Sequence, residues 1–169
     1  MSESNSENER RLSHVTDGPG GPEARMVDVG AKPVTERSAV ARARVRFPAG
    51  LLDEVLAGGG PKGPVTEVAR AAGILAAKRT GELIPMCHPL GLDHVEITFE
   101  PVAGGDTLEV RCRAACRGKT GIEMEALVGA SIASLTVYDM TKALDPAISI
   151  EAVELLEKRG GKSGTWTRS

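Results

Sequence analysis

The chain has 169 residues, 41% of them hydrophobic, so it can bury one core without a disulfide or a structural metal. Only four residues are aromatic, which leaves no platform for stacking single-stranded bases. The net charge is −2, and beyond residue 25 the 18 acidic and 18 basic residues balance. This balance disfavours a nucleic-acid-binding protein, because phosphate backbones require a basic face.

The sequence predicts neither a secretory signal nor a membrane-spanning segment. It begins MSESNSENER, which has no apolar stretch and predicts no secretory signal. The longest mostly apolar stretch, residues 126–137, falls short of the ~20 residues that span a bilayer. An odd number of cysteines, three, favours a reducing compartment. We predict a cytoplasmic protein with no membrane association.

The first elements in chain order are a tail and a strand. Residues 1–25 are polar, with glycine and proline, and predict a disordered tail in front of a single catalytic domain at 26–169. From Ala39 to Phe47, small apolar residues alternate with arginines, which predicts a half-buried strand. The outer row of three arginines (Arg42, Arg44 and Arg46) is either a solvated strand face, which we favour, or a phosphate site.

The remaining pattern alternates helices with a hairpin. In order, it predicts a short helix from Pro48 to Gly58, a helix over 64–78, a loop over 82–94, strands around Val95–Phe99 and Leu108–Ala114, a helix over 122–144 and an extended stretch over 147–161. This order predicts an α+β sandwich, with a mixed or antiparallel sheet and helices on one face.

Two segments imitate a phosphate-binding P-loop, Gly118-Lys119-Thr120 and Gly161-Lys162-Ser163. The motif needs another glycine five residues before its second glycine, and Arg113 and Leu156 occupy those positions. A P-loop NTPase is therefore disfavoured. Both segments could still offer backbone N–H groups and an ammonium to an anion.

The cysteines do not predict a metal site. Cys112 and Cys116 lie four apart on a predicted strand, so their Cα atoms are ~13 Å apart and one zinc ion cannot join them. Small buried thiols are the better interpretation. His88 and Cys87 differ, because they lie in a loop fixed by two prolines. His88 is either structural or a substrate contact.

Charged residues near the long helix leave further alternatives open. Glu123 and Glu125 could complement the helix dipole, or accept hydrogen bonds from a guanine-like ring. Asp139 and Lys142 share one helical face, as an exposed ion pair or as a partly buried pair suited to proton transfer. Lys62 lies between a proline and a glycine, with no packing reason to be there.

Six strings within residues 26–164 occur in a recognisable order: MVDVGAK, KGPV, AAKRTGELIPMCHPL, GKTGIEMEAL, YDMTKA and GGKSG. Together they resemble the cyclic pyranopterin monophosphate synthases of molybdenum cofactor biosynthesis. The longer N-terminal tail and Thr141, where cysteine is also found, are the departures from the family pattern.

The resemblance implies a ferredoxin-like subunit in a homohexamer, a trimer of dimers with active sites at subunit interfaces. It implies a lyase that converts 3′,8-cyclo-7,8-dihydroguanosine 5′-triphosphate, supplied by a radical SAM GTP cyclase, to cyclic pyranopterin monophosphate and pyrophosphate. The rearrangement has no net redox change, so no cofactor is expected, although magnesium could accompany the phosphates. Neighbouring ammoniums would lower one another's pKa, so that one lysine can act as a base.

Residue by residue, Asp139 resembles the active-site aspartate of that family, and Lys62 and Lys142 its catalytic lysines. The implied substrate-binding residues are Met86, Cys87, His88, Glu123, Met124, Glu125, Lys32, Arg37 and Lys158. We expect a site shared between subunits, in one form with Lys62 and Asp139 supplied by different chains. A non-catalytic phosphate-ligand-binding regulatory protein is the alternative. It would keep the basic residues but would have no use for Lys62, Asp139 and Lys142 together.

Overall fold

The computed structural model describes residues 15–18, 20–162 and 164–169. The elements, in chain order, are β1 (Val15–Gly18), β2 (Gly21–Ala24), β3 (Thr35–Arg46), α1 (Leu51–Gly58), α2 (Val65–Lys78), α3 (Thr80–Leu83), β4 (His94–Pro101), β5 (Thr107–Gly118), α4 (Glu123–Thr141), β6 (Ser149–Arg159) and β7 (Thr165–Thr167).

A five-stranded sheet in the order β4-β5-β3-β6-β7 organises the described chain, and every neighbouring pair is antiparallel. The strands and helices β3-α2-β4-β5-α4-β6 form a ferredoxin-like βαββαβ unit. The predicted α+β sandwich is therefore confirmed, and its sheet is antiparallel rather than mixed.

The core lies between the sheet and α4, and small residues bring the layers close together. Alternate residues of β3 and β5 are buried, as the period-2 pattern predicts. Gly129 of α4 faces Cys112, and a Cβ atom at Gly129 would come within 2.6 Å of the Cys112 Sγ atom. A Cβ atom at Gly73 of α2 would lie 2.8 Å from the Gly129 carbonyl oxygen. The absence of these two Cβ atoms lets α2, α4 and the sheet pack tightly.

The other face of β3 carries an ion-pair network. Arg42 pairs with Glu154 at 2.7 Å, and Arg44 and Arg111 both contact Glu109, at 3.3 Å and 2.6 Å. Burial raises the pKa of Glu109, but hydrogen bonds from Arg111 and Arg44 outweigh it and leave the pKa below its usual range. Arginines matched by carboxylates confirm the charged strand face, which we favoured over a phosphate site.

Several element boundaries differ from the prediction. β3 begins at Thr35 rather than Ala39, and α4 ends at Thr141 rather than Leu144, where the chain turns before Asp145. α3 and β7 were not predicted. They have four and three residues, too short for a periodic pattern to show. β7 forms because Trp166 pairs with Lys158 of β6.

The structure describes only part of the tail that was predicted to be disordered. Residues 1–14 and 19 lie outside the described residues. Within 15–24, β1 and β2 pair as an antiparallel hairpin, so regular structure occurs ahead of Met26. None of the helices in the described part of the chain is long and apolar enough to cross a membrane.

Candidate active site

A triad of charged side chains (Lys62, Asp139 and Lys142) stands at the C-terminal end of α4. The Lys62 Nζ atom is 2.7 Å from Asp139 Oδ2, and the Lys142 Nζ atom is 2.7 Å from Asp139 Oδ1. The triad forms because the Gly-rich loop before α2 folds against α4. A Cβ atom at Gly60 would lie 2.7 Å from Val65 Cγ2 and 3.0 Å from the Met140 carbonyl oxygen, so a larger residue here would force the loop or its neighbours to shift.

The charges of the triad are strongly coupled. Hydrogen bonds from Lys142 and from Lys62 lower the pKa of Asp139 from 3.8 to about 2, so the carboxylate is ionised at neutral pH. The same hydrogen bond and charge raise the pKa of Lys142. Within one chain this is opposite to the lowered lysine pKa that we expected, because the carboxylate and not a second ammonium is the nearest charge.

The triad is also more exposed than the sequence suggested. The side chains of Asp139 and Lys142 are 53% and 50% exposed, so the apolar neighbours in LTVYDMTKAL do not bury the pair. Those neighbours point elsewhere: Val137 and Met140 belong to the core, whereas Asp139 lies on the outer side of the helix.

A cavity of about 280 Å³ lies near the other end of α4. Its walls come from the segment before β3, the proline-fixed loop and the start of α4. The lining residues are Val27, Val29, Lys32, Met86, Cys87, His88, Leu90, Thr120, Gly121, Glu123, Met124 and Glu125. Seven of the nine predicted substrate-binding residues line this one cavity, although they come from three separate parts of the sequence.

His88 joins two walls of the cavity. Its Nε2 atom is 2.8 Å from the Val27 carbonyl oxygen, which can only accept, so Nε2 carries the proton of this hydrogen bond. In the neutral ring, Nδ1 is then an acceptor. The structural and substrate-contacting interpretations of His88 are thus compatible, because the side chain both lines the cavity and fastens its wall.

The cavity holds two groups that resist ionisation. Burial raises the pKa of Glu125, and the nearby charge of Glu123 raises it further, while a backbone hydrogen bond acts in the opposite direction. Burial likewise raises the pKa of the Cys87 thiol, with Glu125 adding to the effect. Cys87 is therefore a neutral thiol at neutral pH and is poorly suited to act as a nucleophile.

The other two predicted substrate-binding residues, Arg37 and Lys158, line an adjoining cavity of about 130 Å³. Glu123 lines both cavities, and its Oε1 atom accepts a hydrogen bond from Lys158 Nζ at 2.9 Å. The Arg37 Nε atom is buried without a hydrogen-bond partner among the described residues. We call the two cavities together the basin.

The GGKSG string makes room for Arg37. A Cβ atom at Gly160 would lie 3.1 Å from the Arg37 Cδ atom, and one at Gly161 would collide with the guanidinium. Gly160 and Gly161 therefore allow the backbone to approach a basic side chain closely. The segment is not a P-loop, since no helix follows it in the described residues 164–169.

The triad and the basin do not meet within one chain. Glu123 and Asp139 are 16 residues apart on the same helix, which separates them by ~24 Å at 1.5 Å per residue. Lys62 and Asp139 do meet, so the expectation that different chains supply these two residues is wrong. The loop packing at Gly60 explains why, and the sequence alone did not reveal it.

Sequence reasoning missed part of the basin wall. It did not single out Val27, Val29, Leu90 and Gly121, and it named Thr120 only as part of the Gly118-Lys119-Thr120 segment. The alternation in MVDVGAK, with the two valines half-buried, was the available signal. Cys112 and Cys116 are buried in β5, as predicted for small apolar side chains. No three His, Cys, Asp or Glu side chains in the described ranges lie close enough together to share a metal ion.

Comparison with known proteins gives a consistent result. The model of the MoaC family matches residues 26–161. The chain belongs to the MoaC family. A cyclic pyranopterin monophosphate synthase from Chloroflexus aggregans is 52% identical over 158 residues, which covers 94% of this chain and 94% of the relative. Proteins of the same name from Novosphingobium aromaticivorans and Brucella ovis are 54% and 51% identical, over 92% and 86% of this chain and 96% and 88% of the relatives.

Proposed function

We propose that this chain is a cyclic pyranopterin monophosphate synthase, a lyase of molybdenum cofactor biosynthesis. It converts 3′,8-cyclo-7,8-dihydroguanosine 5′-triphosphate to cyclic pyranopterin monophosphate and releases pyrophosphate. The proposal rests on the way in which the twelve candidate residues fall into two groups in the fold. Nine line one basin suited to recognition, and the other three form one triad suited to proton transfer.

The basin has the chemistry to hold a guanine-derived triphosphate. Its basic side chains, Lys32, Arg37 and Lys158, can bind phosphate oxygens, and the buried Arg37 Nε–H has a donor to offer. Glu123 and Glu125 carry acceptor oxygens for ring N–H groups. An ionised Glu125 in this buried position is stabilised when such donors arrive, which favours a ligand that brings them.

The triad supplies groups for the covalent steps. The reaction opens a guanine-derived ring, closes a pyrazine ring and forms a cyclic phosphate, with no net oxidation or reduction. Each step moves protons, and Lys62 and Lys142 can donate or accept them when a substrate phosphate competes with Asp139 for their ammonium groups. Their positive charges also stabilise the oxyanions formed at phosphorus and on the departing pyrophosphate.

We further propose that an active site pairs the triad of one subunit with the basin of another. The triad is half exposed, so one chain alone does not enclose it. The basin of the same chain lies ~24 Å away and lacks the proton-transfer residues of the triad. A homohexamer built as a trimer of dimers would unite them. This replaces the earlier form of the shared-site hypothesis, because Lys62 and Asp139 lie on one chain.

The proposal extends to the surroundings of the reaction. A radical SAM GTP cyclase would supply the substrate, in the cytoplasm, with no nucleic acid or membrane taking part. No protein-held cofactor is required for the steps above. Magnesium would enter with the phosphates as a counter-ion of substrate or pyrophosphate.

The product profile tests the function. The chain is incubated with the cyclised nucleotide, and the mixture is analysed for pterin and for pyrophosphate. Formation of both in equal amounts supports the proposal. Unchanged ligand that nevertheless binds would support the alternative, a non-catalytic phosphate-binding regulatory protein. That alternative is disfavoured by the triad, because the basic residues of the basin would be enough to bind a phosphate ligand and would leave the triad without a role.

A further inference from the structure

One wall of the basin is a segment without regular secondary structure, residues 27–32, which we call the strap. Val27, Val29 and Lys32 of the strap line the larger cavity. Two hydrogen bonds shape it from within: Lys32 N donates to the Val29 carbonyl oxygen at 3.1 Å, and Gly30 N donates to Asp28 Oδ1 at 2.7 Å. In the described part of the chain, no backbone-to-backbone hydrogen bond joins the strap to another element.

Two side chains fasten the strap from outside. His88 Nε2 contacts the Val27 carbonyl oxygen at 2.8 Å, and Lys119 Nζ donates to the Gly30 carbonyl oxygen at 2.6 Å. These two contacts lie three residues apart along the strap. The contact at Gly30 lies two residues before Lys32, so it fixes the backbone that carries the Lys32 ammonium group.

Lys119 differs from His88 in its position. It occupies the loop between β5 and α4, is half-buried, and is not among the residues that line either cavity of the basin. It forms no salt bridge within the described ranges, and its ammonium group donates a hydrogen bond to the Gly30 carbonyl oxygen. A hydrogen bond with an ionised donor is shorter and stronger than a neutral one, which suits a single point of attachment.

We propose that Lys119 is a positioning residue that fixes the strap, and thereby holds Lys32 where a substrate phosphate binds. The role of Lys32 rests on the proposed function, whereas the attachment of the strap does not. Lys119 acts through the strap and does not itself touch the substrate. The lysine of the GKTG string, which imitates a P-loop lysine in sequence, therefore serves an anion site indirectly.

Hydrogen exchange tests the attachment without reference to activity. The amides of Gly30 and Lys32 are the hydrogen-bonded ones within the strap. In Lys119→Met we expect them to exchange about tenfold faster, because local opening no longer breaks a charge-assisted bond. Lys119→Arg keeps a cationic donor and should largely restore the slow rate. Lys78→Met, an exposed lysine at the end of α2, is the matched control and should change nothing.

Unchanged exchange in the strap of Lys119→Met would overturn the proposal. So would equal acceleration in the buried amides of β3 and β5, since Lys119 would then be a general stabiliser of the fold.

Kinetics test the link to Lys32. We expect Lys119→Met to raise KM for the cyclised nucleotide about tenfold while kcat changes by less than about threefold. The double variant Lys119→Met/Lys32→Met should be no worse than Lys32→Met alone, because both changes remove one function. If the double variant instead raised KM by the product of the two single-variant increases, Lys119 would act independently of Lys32, and this link would be overturned. If the unaltered chain does not turn the nucleotide over, the proposed function fails, and the exchange data still decide whether Lys119 fastens the strap.

Discussion

The two ends of α4 carry opposite kinds of polar site. At its C-terminal end, Asp139 is half exposed and each of its carboxylate oxygens receives an ammonium at 2.7 Å. At its N-terminal end, Glu125 is buried and the neighbouring Arg37 Nε has no partner among the described residues. The first site has its charges satisfied but no enclosure. The second lies in a cavity and has a buried donor without a partner among the described residues.

This difference shows what each end still needs. Electrostatic catalysis requires charged groups held away from bulk water, and the exposed triad lacks that shelter within one chain. Recognition requires groups that a ligand can satisfy, and the basin offers them. The two ends are complementary, which argues for a site completed between subunits and predicts different consequences for variants at each end.

The largest effect is expected at the triad. Asp139→Asn should lower kcat about 10²- to 10⁴-fold, because the amide cannot hold two ammoniums or take part in proton transfer. Lys62→Met should act similarly. The matched control is Asp53→Asn, an exposed aspartate in the first turn of α1. Steady-state kinetics and circular dichroism give the readouts, and near-normal turnover by a folded Asp139→Asn protein would remove the triad from the mechanism.

Complementation between impaired variants gives the next effect, assayed at a substrate concentration far below KM, where Lys158→Ala alone has little turnover. Mixing Asp139→Ala with Lys158→Ala after dissociation and reassembly should restore about a quarter of the activity, because random pairing leaves that share of sites with both halves intact. Mixing Lys62→Ala with Asp139→Ala should restore none, since both residues belong to one triad. Activity in the second mixture alone, with subunit exchange confirmed by mass spectrometry, would contradict the arrangement.

The sequence predicted the fold well, because β3, α2 and β5 are long and strongly periodic, and α4 is a long, mostly apolar segment that ends ahead of Asp145-Pro146. The family resemblance also named nine residues that line the basin and the three that form the triad, but their functional roles stay predictions and part of the basin wall was missed. It could not predict which members meet. The contact of Lys62 with Asp139 spans 77 residues and depends on a missing Cβ atom at Gly60. The exposure of the triad and the strap attachment through Lys119 likewise depend on tertiary packing.

A smaller effect is expected for the basic side of the basin. Lys158→Met should raise KM about 10- to 100-fold and change kcat less, because Lys158 supports binding beside Glu123 and is not one of the proton-transferring residues of the triad. Lys158→Arg keeps the charge and should behave more nearly like the unaltered chain. A variant whose kcat falls as much as that of Asp139→Asn would show that the two ends do not divide recognition from chemistry.

The smallest effect concerns stability, and its sign should differ between the two ends. Hydrogen bonds from Lys142 and Lys62 lower the folded-state pKa of Asp139 from 3.8 to about 2. Its ionised form therefore stabilises the fold above pH 3.8, and this contribution is lost as the pH falls towards 2. Burial raises the folded-state pKa of Glu125 above 4.5, so its ionised form lowers stability once the pH rises through that raised value.

Urea unfolding of Asp139→Asn and Glu125→Gln, at fixed protein concentration between pH 3 and 7, measures both signs. The stability of Asp139→Asn relative to the unaltered chain should worsen as the pH rises from 3 through 3.8, because only the unaltered chain has a carboxyl that is ionised when folded but still binds a proton when unfolded. The stability of Glu125→Gln relative to the unaltered chain should improve between pH 4 and 7, because the amide avoids burying a charge, while its KM for the nucleotide rises. If the relative stabilities of both variants changed in the same direction with pH, Glu125 would already have its partners without substrate. The contrast between a satisfied triad and an unsatisfied basin would then be wrong.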